Sequence, residues 1–418
     1  MDFETRTQAR KSVRRRWALW AAAALIAGLV ASACGGDGAS PAGRSLEDAE
    51  LRIADTIQMA SSRDVIGVAD ATDDGERTLV WVFPRPEVRS GCAQLWLLEL
   101  DGSASLVAED VPVSRPLLTQ AVFSPDGDKI AYAAAVDCAQ SPAATEATLV
   151  VVGVDGGGRH EIATGITSLR VWTPDDRLFF DRESMGSSLW QVGADGADEE
   201  QRFVGRVISV SPDGAYFVTL KEAEGTDGDP PPGALLPGLE FHGLEGGRLL
   251  EGTGVSLEGE GGGGWSPDGH RYIYVALTAE GLEGPRVLNL ETGETELLAS
   301  LDDLLGSGQS IPSAVIWSPD GSRLLLQAAP DTAGTGAPLL AAKAVAGKLT
   351  ELTDGGVTFS DAQWTAHGQL LLYTDHQSVW AAVMRIGEGE DEAKSMVKEL
   401  QKAFEEPIDL TVEAPSGG

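Results

Sequence analysis

The sequence predicts an all-β chain folded as a β-propeller. Seven four-stranded blades are the expected count and six the alternative, followed by one short C-terminal helix. Three observations carry this: a turn motif recurring about every fifty residues, strand-type alternation around each copy, and no helical periodicity between copies. The motif is Ser-Pro-Asp-Gly with its variants. It stands in "VFSPDGDKIAY" from Val122, "VWTPDDRLFF" from Val171, "SVSPDGAYFV" from Ser209, "GWSPDGHRYIYV" from Gly264 and "IWSPDGSRLLL" from Ile316. A worn copy, "QWTAHGQLLLY", starts at Gln363, and "ADATDDGERTLVWV" from Ala69 is a further candidate. With the aspartate as marker, the copies fall at Asp74, Asp126, Asp175, Asp213, Asp268, Asp320 and then His367. The spacings are 52, 49, 38, 55, 52 and 47 residues. A period of this length marks a repeat architecture.

The chain opens on an address. In "RKSVRRRWALWAAAALIAGLVASACGG" a basic segment ends at Arg16, and an uncharged apolar run spans Trp17 to Ala33. A basic head, an apolar stretch and small residues form an export signal over residues 1–33. Ala31-Ser32-Ala33-Cys34 resembles the lipobox of bacterial lipoproteins, although that family prefers Leu where Ala31 stands. The resemblance implies acylation of Cys34, cleavage before it, and a chain held at the cell envelope by its N-terminal lipid. An uncleaved single-pass helix is the alternative, at the short limit for a span. Either way the body is expected outside the cytoplasm. Residues 34–49, rich in Gly, Ser, Ala and Pro, read as a flexible tether.

Residues 50–386 hold the repeats. In each, an aromatic residue or valine ends one strand, and Pro presets φ at the second position of a type I turn. Asp follows, and Gly supplies the positive φ after it. Apolar alternation then resumes, as in Ile130/Tyr132 and Tyr272/Tyr274, marking a second strand. Third strands such as "QLWLLEL" (Gln94–Leu100) and "TLVVVGV" (Thr148–Val154) end in Asp-Gly hairpin turns into a fourth, such as "TELLAS" or "LTELTD". Four antiparallel strands per repeat define a propeller. The W-S-P-D-G-x-x-(apolar)₃ repeat resembles the PD40, or TolB-like, WD40-like propeller family. The aspartates at 126, 175, 213, 268 and 320 are then structural turn residues, because a catalytic aspartate would be singular.

The last repeat lacks a fourth strand of its own. "ELRIADT" (Glu50–Thr56) resembles fourth strands such as "RHEIATG", so it is expected to complete that blade and remove the open edge. "IDLTVE" (Ile408–Glu413) is the rival. Residues 387–418 form a helix and tail; the helix, in "EDEAKSMVKELQKAFEE", places Met396, Val397, Leu400 and Phe404 on one face for packing against the propeller.

Chemistry-bearing patterns are sparse. Among 418 residues, 64 Asp+Glu face 31 Lys+Arg, a net charge of −33. Such acidity disfavours nucleic acid and polybasic attachment to anionic lipid. The body's tryptophans (81, 96, 172, 190, 265, 317, 364 and 380) all fall in strands and read as inter-blade core. The histidines at 160, 242, 270, 367 and 376 show no metal-ligand spacing, and no metal or other cofactor is expected. No nucleophile elbow, P-loop or dinucleotide fingerprint is present. "DATDDG" (Asp70–Gly75) has Trp81 where a calcium loop needs Glu, so it reads as a turn. No catalytic residue is assigned.

Cys92 and Cys138 fall in second-to-third-strand loops of adjacent blades, on one face. In an oxidising compartment they either form a disulfide or remain separate thiols. The long insertion "KEAEGTDGDPPPGALLPG" (Lys221–Gly238), with Glu222, Glu224, Asp227 and Asp229, belongs to the same loop class, and "GEGGGG" (Gly259–Gly264) emerges on that side. Insertions on one face mark a candidate binding side. The expected function is an exported, lipid-anchored, monomeric scaffold that binds other envelope or exported proteins without catalysis. The alternative is a small-molecule or glycan binder, or lyase-like enzyme, using the mouth of the central channel.

Overall fold

The computed structural model describes residues 51–83, 92–112, 121–138, 146–183, 187–220, 238–252, 254–256, 264–278, 281–298, 312–328, 339–343, 350–352, 360–365, 368–375, 377–386 and 389–411. The expected signal, Cys34, the tether and the acidic residues at 222, 224, 227 and 229 lie outside these.

Among the described residues the strands form six sheets of antiparallel meanders arranged as propeller blades; the seven-stranded sheet is counted as two, and the blades are labelled 1 to 7 along the chain. A first strand, β1 (Leu51–Ser61), precedes them. Blade 1 comprises β2 (Val65–Ala71), β3 (Arg77–Phe83), β4 (Cys92–Glu99) and β5 (Ala104–Pro112). Blade 2 comprises β6 (Ala121–Phe123), β7 (Lys129–Ala135), β8 (Ala147–Gly153) and the start of β9 (His160–Trp172). The end of β9 opens blade 3, followed by β10 (Arg177–Glu183), β11 (Ser187–Gly193) and β12 (Glu200–Val204). Blade 4 is β13 (Val207–Val210), β14 (Tyr216–Leu220), β15 (Leu239–Gly243) and β16 (Arg248–Gly252). Blade 5 is β17 (Gly254–Ser256), β18 (Arg271–Thr278), β19 (Gly281–Asn289) and β20 (Thr295–Leu297). Blade 6 is β21 (Pro312–Trp317), β22 (Arg323–Ala328), β23 (Leu339–Lys343) and β24 (Thr350–Glu351). Blade 7 is β25 (Ser360–Thr365), β26 (Leu370–Thr374) and β27 (Ser378–Ile386), after which come α1 (Glu390–Ala403) and β28 (Ile408–Asp409).

Strand β9 explains why blades 2 and 3 share one sheet. Its residues up to Ile166 pair with β8, and those from Ile166 onward pair with β10. No loop is spent between fourth and first strands there. Of the Gly259–Gly264 run, only Gly264 lies within the described residues. Gly254–Ser256 already pairs with β18, and Trp265 bridges Tyr272 further along the same strand. Both segments therefore pair with the same partner strand.

Middle strands are apolar without a break because both their faces are covered. In β7, Ile130, Tyr132 and Ala134 pack toward blade 1, while Ala131 and Ala133 pack toward blade 3. Alternate residues of one strand thus serve two inter-blade cores. Similar clusters join blades 3 and 4 through Phe179 and Phe217, blades 4 and 5 through Phe241 and Tyr272, and blades 6 and 7 through Leu325 and Leu371.

Closure uses both expected segments. Strand β1 pairs antiparallel with β27 from Leu51↔Ile386 to Ser61↔Ser378, as the fourth strand of blade 7. Strand β28 then adds in parallel outside it, at Ala60↔Ile408 and Ser61↔Asp409. Helix α1 buries Ala393 and Leu400, and Phe404 follows at its C-terminal end. They pack with Ile57 and Met59 of β1 and Val383 of β27, with Met396 and Val397 partly buried beside them.

Candidate functional site

Antiparallel meanders put first-to-second and third-to-fourth hairpins on one face, and the remaining connections on the other. The repeated turns therefore gather on the first face. In each, the hydroxyl at the Ser/Thr position donates to the aspartate: Thr72 to Asp74 at 2.6 Å, and Ser124 to Asp126, Ser211 to Asp213 and Ser318 to Asp320 at 2.5 Å. Thr173 and Ser266 do the same for Asp175 and Asp268. The carboxylate oxygen also accepts the backbone N–H two residues on, as from Asp128, Ala215, His270 and Ser322. The hydroxyl oxygen accepts the next N–H, from Lys129, Tyr216, Arg271 and Arg323. These bonds favour the charged form. The Ser124 hydroxyl and Asp128 N–H hold the Asp126 carboxyl below its ordinary value. Burial pushes Asp268 and Asp320 upward, but the bonds from Ser266 and His270, and from Ser318 and Ser322, outweigh it and leave both lowered. Asp126, Asp268 and Asp320 are thus ionised turn caps, and Asp74, Asp175 and Asp213 accept the same hydroxyl bond.

Successive turns also touch. A Cβ on Gly269 of blade 5 would lie 2.6 Å from Asp213 Oδ1 of blade 4, and one on Gly214 would lie 2.8 Å from Thr173 Cγ2 of blade 3. Blade 3 has Asp176 where the others have glycine, at φ 65°. Its carboxylate accepts the indole N–H of Trp172 at 2.8 Å.

Other charged groups tie blades together. Asp70 on β2 accepts the N–H of Phe123 from β6 at 2.8 Å and that of Ala71 at 2.9 Å. Burial pushes its carboxyl up to about 7 against those two bonds, with the Asp73 charge adding to the rise. Arg170 on β9 pairs with Asp181 and donates to the carbonyls of Ile208 and Val207 on β13, at 2.8 and 2.9 Å. Burial raises the Asp181 carboxyl despite that guanidinium. Arg159, Tyr132 and Asp110 link blades 1 and 2 in the same way. Burial lifts the Tyr132 phenol to about 12, so it stays a neutral donor.

On the opposite face, Cys92 begins β4 and Cys138 follows β7. The structure joins them in a disulfide with Cα atoms 5.1 Å apart, across 46 residues of sequence. His160, His242 and His270 are described, and His242 stacks on Phe217 with ring centres 4.9 Å apart. His367 and His376 lie outside the described residues. Among those described, no three His, Cys, Asp or Glu side chains gather as a metal site. Nor is any helix there long and apolar enough to cross a membrane. Trp81, Trp172, Trp265, Trp317 and Trp364 are buried, while Trp96, Trp190 and Trp380 pack half-covered against the cores.

The turn face carries a groove that sequence reasoning missed. It has a volume of 590 Å³ and lies between the hairpins 243–247 of blade 4 and 290–293 of blade 5. Tyr216, Leu250 and Leu290 line it and continue into the core between those blades. Leu249 beside them is 49% exposed. Glu245 and Glu291 stand at the rim. The available signal was the Leu249-Leu250 pair: neighbours on a strand face opposite sides, so one of the two points away from the core.

No family model and no curated protein matches this chain. Solved structures similar to it are propellers. The β-propeller domain of the Trilobed protease from Pyrococcus furiosus matches over 77% of this chain and 97% of its own, at 12% identity and a TM-score of 0.52. Oligogalacturonate lyase in complex with manganese matches over 82% of this chain and 99% of its own, at 14% identity and a TM-score of 0.53. TolB from Acinetobacter baumannii is similar at 16% identity and a TM-score of 0.40; 76% of this chain is covered, but only 65% of TolB's length. At such identities the likeness establishes the β-propeller fold and nothing finer.

Proposed function

We propose that this chain is an exported, lipid-anchored β-propeller that binds another exported or envelope protein and performs no catalysis of its own. One observation carries the reading: the charged groups that reach between blades are engaged in holding the ring. Asp70 caps backbone of the next blade, Arg170 bridges Asp181 to two carbonyls, and each marker aspartate caps its own turn. What such a disc offers a ligand is surface. The Cys92–Cys138 cross-link supports an oxidising compartment, where disulfides persist. The apolar run ending at Cys34 supports a lipid anchor, since acyl chains hold a protein to a membrane by burying methylenes.

Fractionation of a bacterium expressing the full chain, with and without Cys34→Ser, tests the anchor. The unaltered chain is expected in membranes and to take up a labelled fatty acid, and the variant is expected to take up none. Cross-linking before purification from those membranes is expected to join the chain to one exported protein. A Cys34→Ser chain that still takes up a labelled fatty acid contradicts the anchor. A chain that purifies alone and is stabilised by a sugar or metal contradicts the scaffold.

A further inference from the structure

We infer that the groove between blades 4 and 5 on the turn face docks an amphipathic helix of a partner protein, with lysine or arginine at its margins. The inference rests on the protein-binding reading above and names the surface and the partner's chemistry. Its ground is an internal comparison. The N–H of Leu100 in blade 1 donates to the Glu76 carbonyl at 2.9 Å, and that of Leu290 in blade 5 to the His270 carbonyl at 2.9 Å. The two leucines thus hold the same place at the head of the third-to-fourth hairpin. At blade 1 the place is covered by the chain's own helix: Leu100 packs against the cluster to which Leu400 and Phe404 belong. There the Ala403 carbonyl sits 2.3 Å from where a Cβ on the hairpin's Gly102 would be.

At blade 5 the corresponding Gly293 has only Leu250 Cδ2 within 4 Å of such a Cβ, at 3.6 Å. Among the described residues no helix covers the equivalent hairpin of blade 5, and the groove lies beside it. Its floor is apolar through Tyr216, Leu250 and Leu290, and Leu249 extends it toward solvent. An apolar face set in such a groove is a recurrent mode of helix recognition. The rim selects the flanks. The Glu245 side chain is 99% exposed and stands 3.8 Å from Arg202, and that of Glu291 is 62% exposed and stands 3.4 Å from His270, so each carboxylate keeps a solvent-facing side for basic side chains on the helix. The protein's net charge of −33 favours approach of a basic segment over an acidic one.

The test uses the full chain and a fluorescent peptide copying Glu390–Phe404 in which Glu390, Asp391, Glu392 and Glu399 are replaced by lysine. A second peptide keeps those acids and carries glutamate in place of Lys394, Lys398 and Lys402. Fluorescence anisotropy is expected to show binding of the basic peptide and at least about ten-fold weaker binding of the acidic one. Leu249→Asp, and separately Glu245→Lys with Glu291→Lys, are each expected to weaken the basic peptide by about ten-fold or more. Leu249 is half-exposed, so unchanged thermal melting of Leu249→Asp is the folding control. Binding unaffected by these substitutions, equal binding of both peptides, or no binding overturns the inference. So does self-association of the chain that Leu249→Asp abolishes, which assigns the groove to a second copy. A partner cross-linked in membranes equally well by Leu249→Asp removes the groove while leaving the protein-binding reading intact.

Discussion

Asp74, Asp126, Asp175, Asp213, Asp268 and Asp320 share one task, and the glycine after most of them has two. It takes the positive φ that the turn requires, and it leaves room for the preceding blade's turn. These separate experimentally. Gly156 has φ +77° and nothing within 4 Å of an added Cβ, whereas Gly269 has φ +74° and Asp213 Oδ1 at 2.6 Å. Gly156→Ala is expected to cost about 1 kcal/mol, from backbone alone. Gly269→Ala is expected to cost at least about 2 kcal/mol, because the Asp213 side chain of the preceding blade's turn must also move. Urea unfolding of both variants checks this, and equal losses would remove the turn-to-turn contact. Asp70 provides a pH test. Its folded-state pKa, about 7, lies above that of an unfolded aspartate, so the folded chain holds the proton more tightly. The resulting stabilisation is full below about pH 4 and is lost as pH rises through 7. The melting temperature of the unaltered protein is therefore expected to fall more between pH 5 and 8 than that of Asp70→Asn. Parallel falls would contradict the burial of that carboxyl.

Helix α1 and strands β1 and β28 act as one closure, since α1 rests on β1 and β28 extends the same sheet. Leu400 is 3% exposed in that cluster. Leu400→Ala is expected to destabilise the chain by about 2–5 kcal/mol and to speed amide exchange along β1. A urea midpoint equal to that of the unaltered chain would show that the helix is an ornament of the ring. Elements differ in how far the sequence announces them. The Ser-Pro-Asp-Gly turns are local chemistry, so their positions and the strands on either side are readable from residues alone. The helix is readable too, because Met396, Val397, Leu400 and Phe404 recur at its period. The joint use of Leu51–Ser61 and Ile408–Asp409 was posed by the sequence as a choice, because pairing partners lie more than three hundred residues apart and pattern alone cannot rank them.

At the level of the molecule, repetition explains why fold was so much more legible than function. Five good turn copies reinforce one another, whereas a binding surface is built once, from residues that converge only in space. The groove between blades 4 and 5 joins Tyr216, Leu249 and Leu290 from two blades, and nothing in their sequence spacing marks them as neighbours. The Cys92–Cys138 link was visible only as two cysteines on one face; their approach needed the adjoining blades in place. Acidity was legible and disfavours partners of like charge, but it names none. The most direct measurement is the native mass of the full chain gently solubilised from bacterial membranes. The expected result is the lipidated chain together with one stably bound exported protein. A bare chain whose mass rises only on adding a sugar, a metal or another small ligand would contradict the reading of this propeller as a protein-binding scaffold.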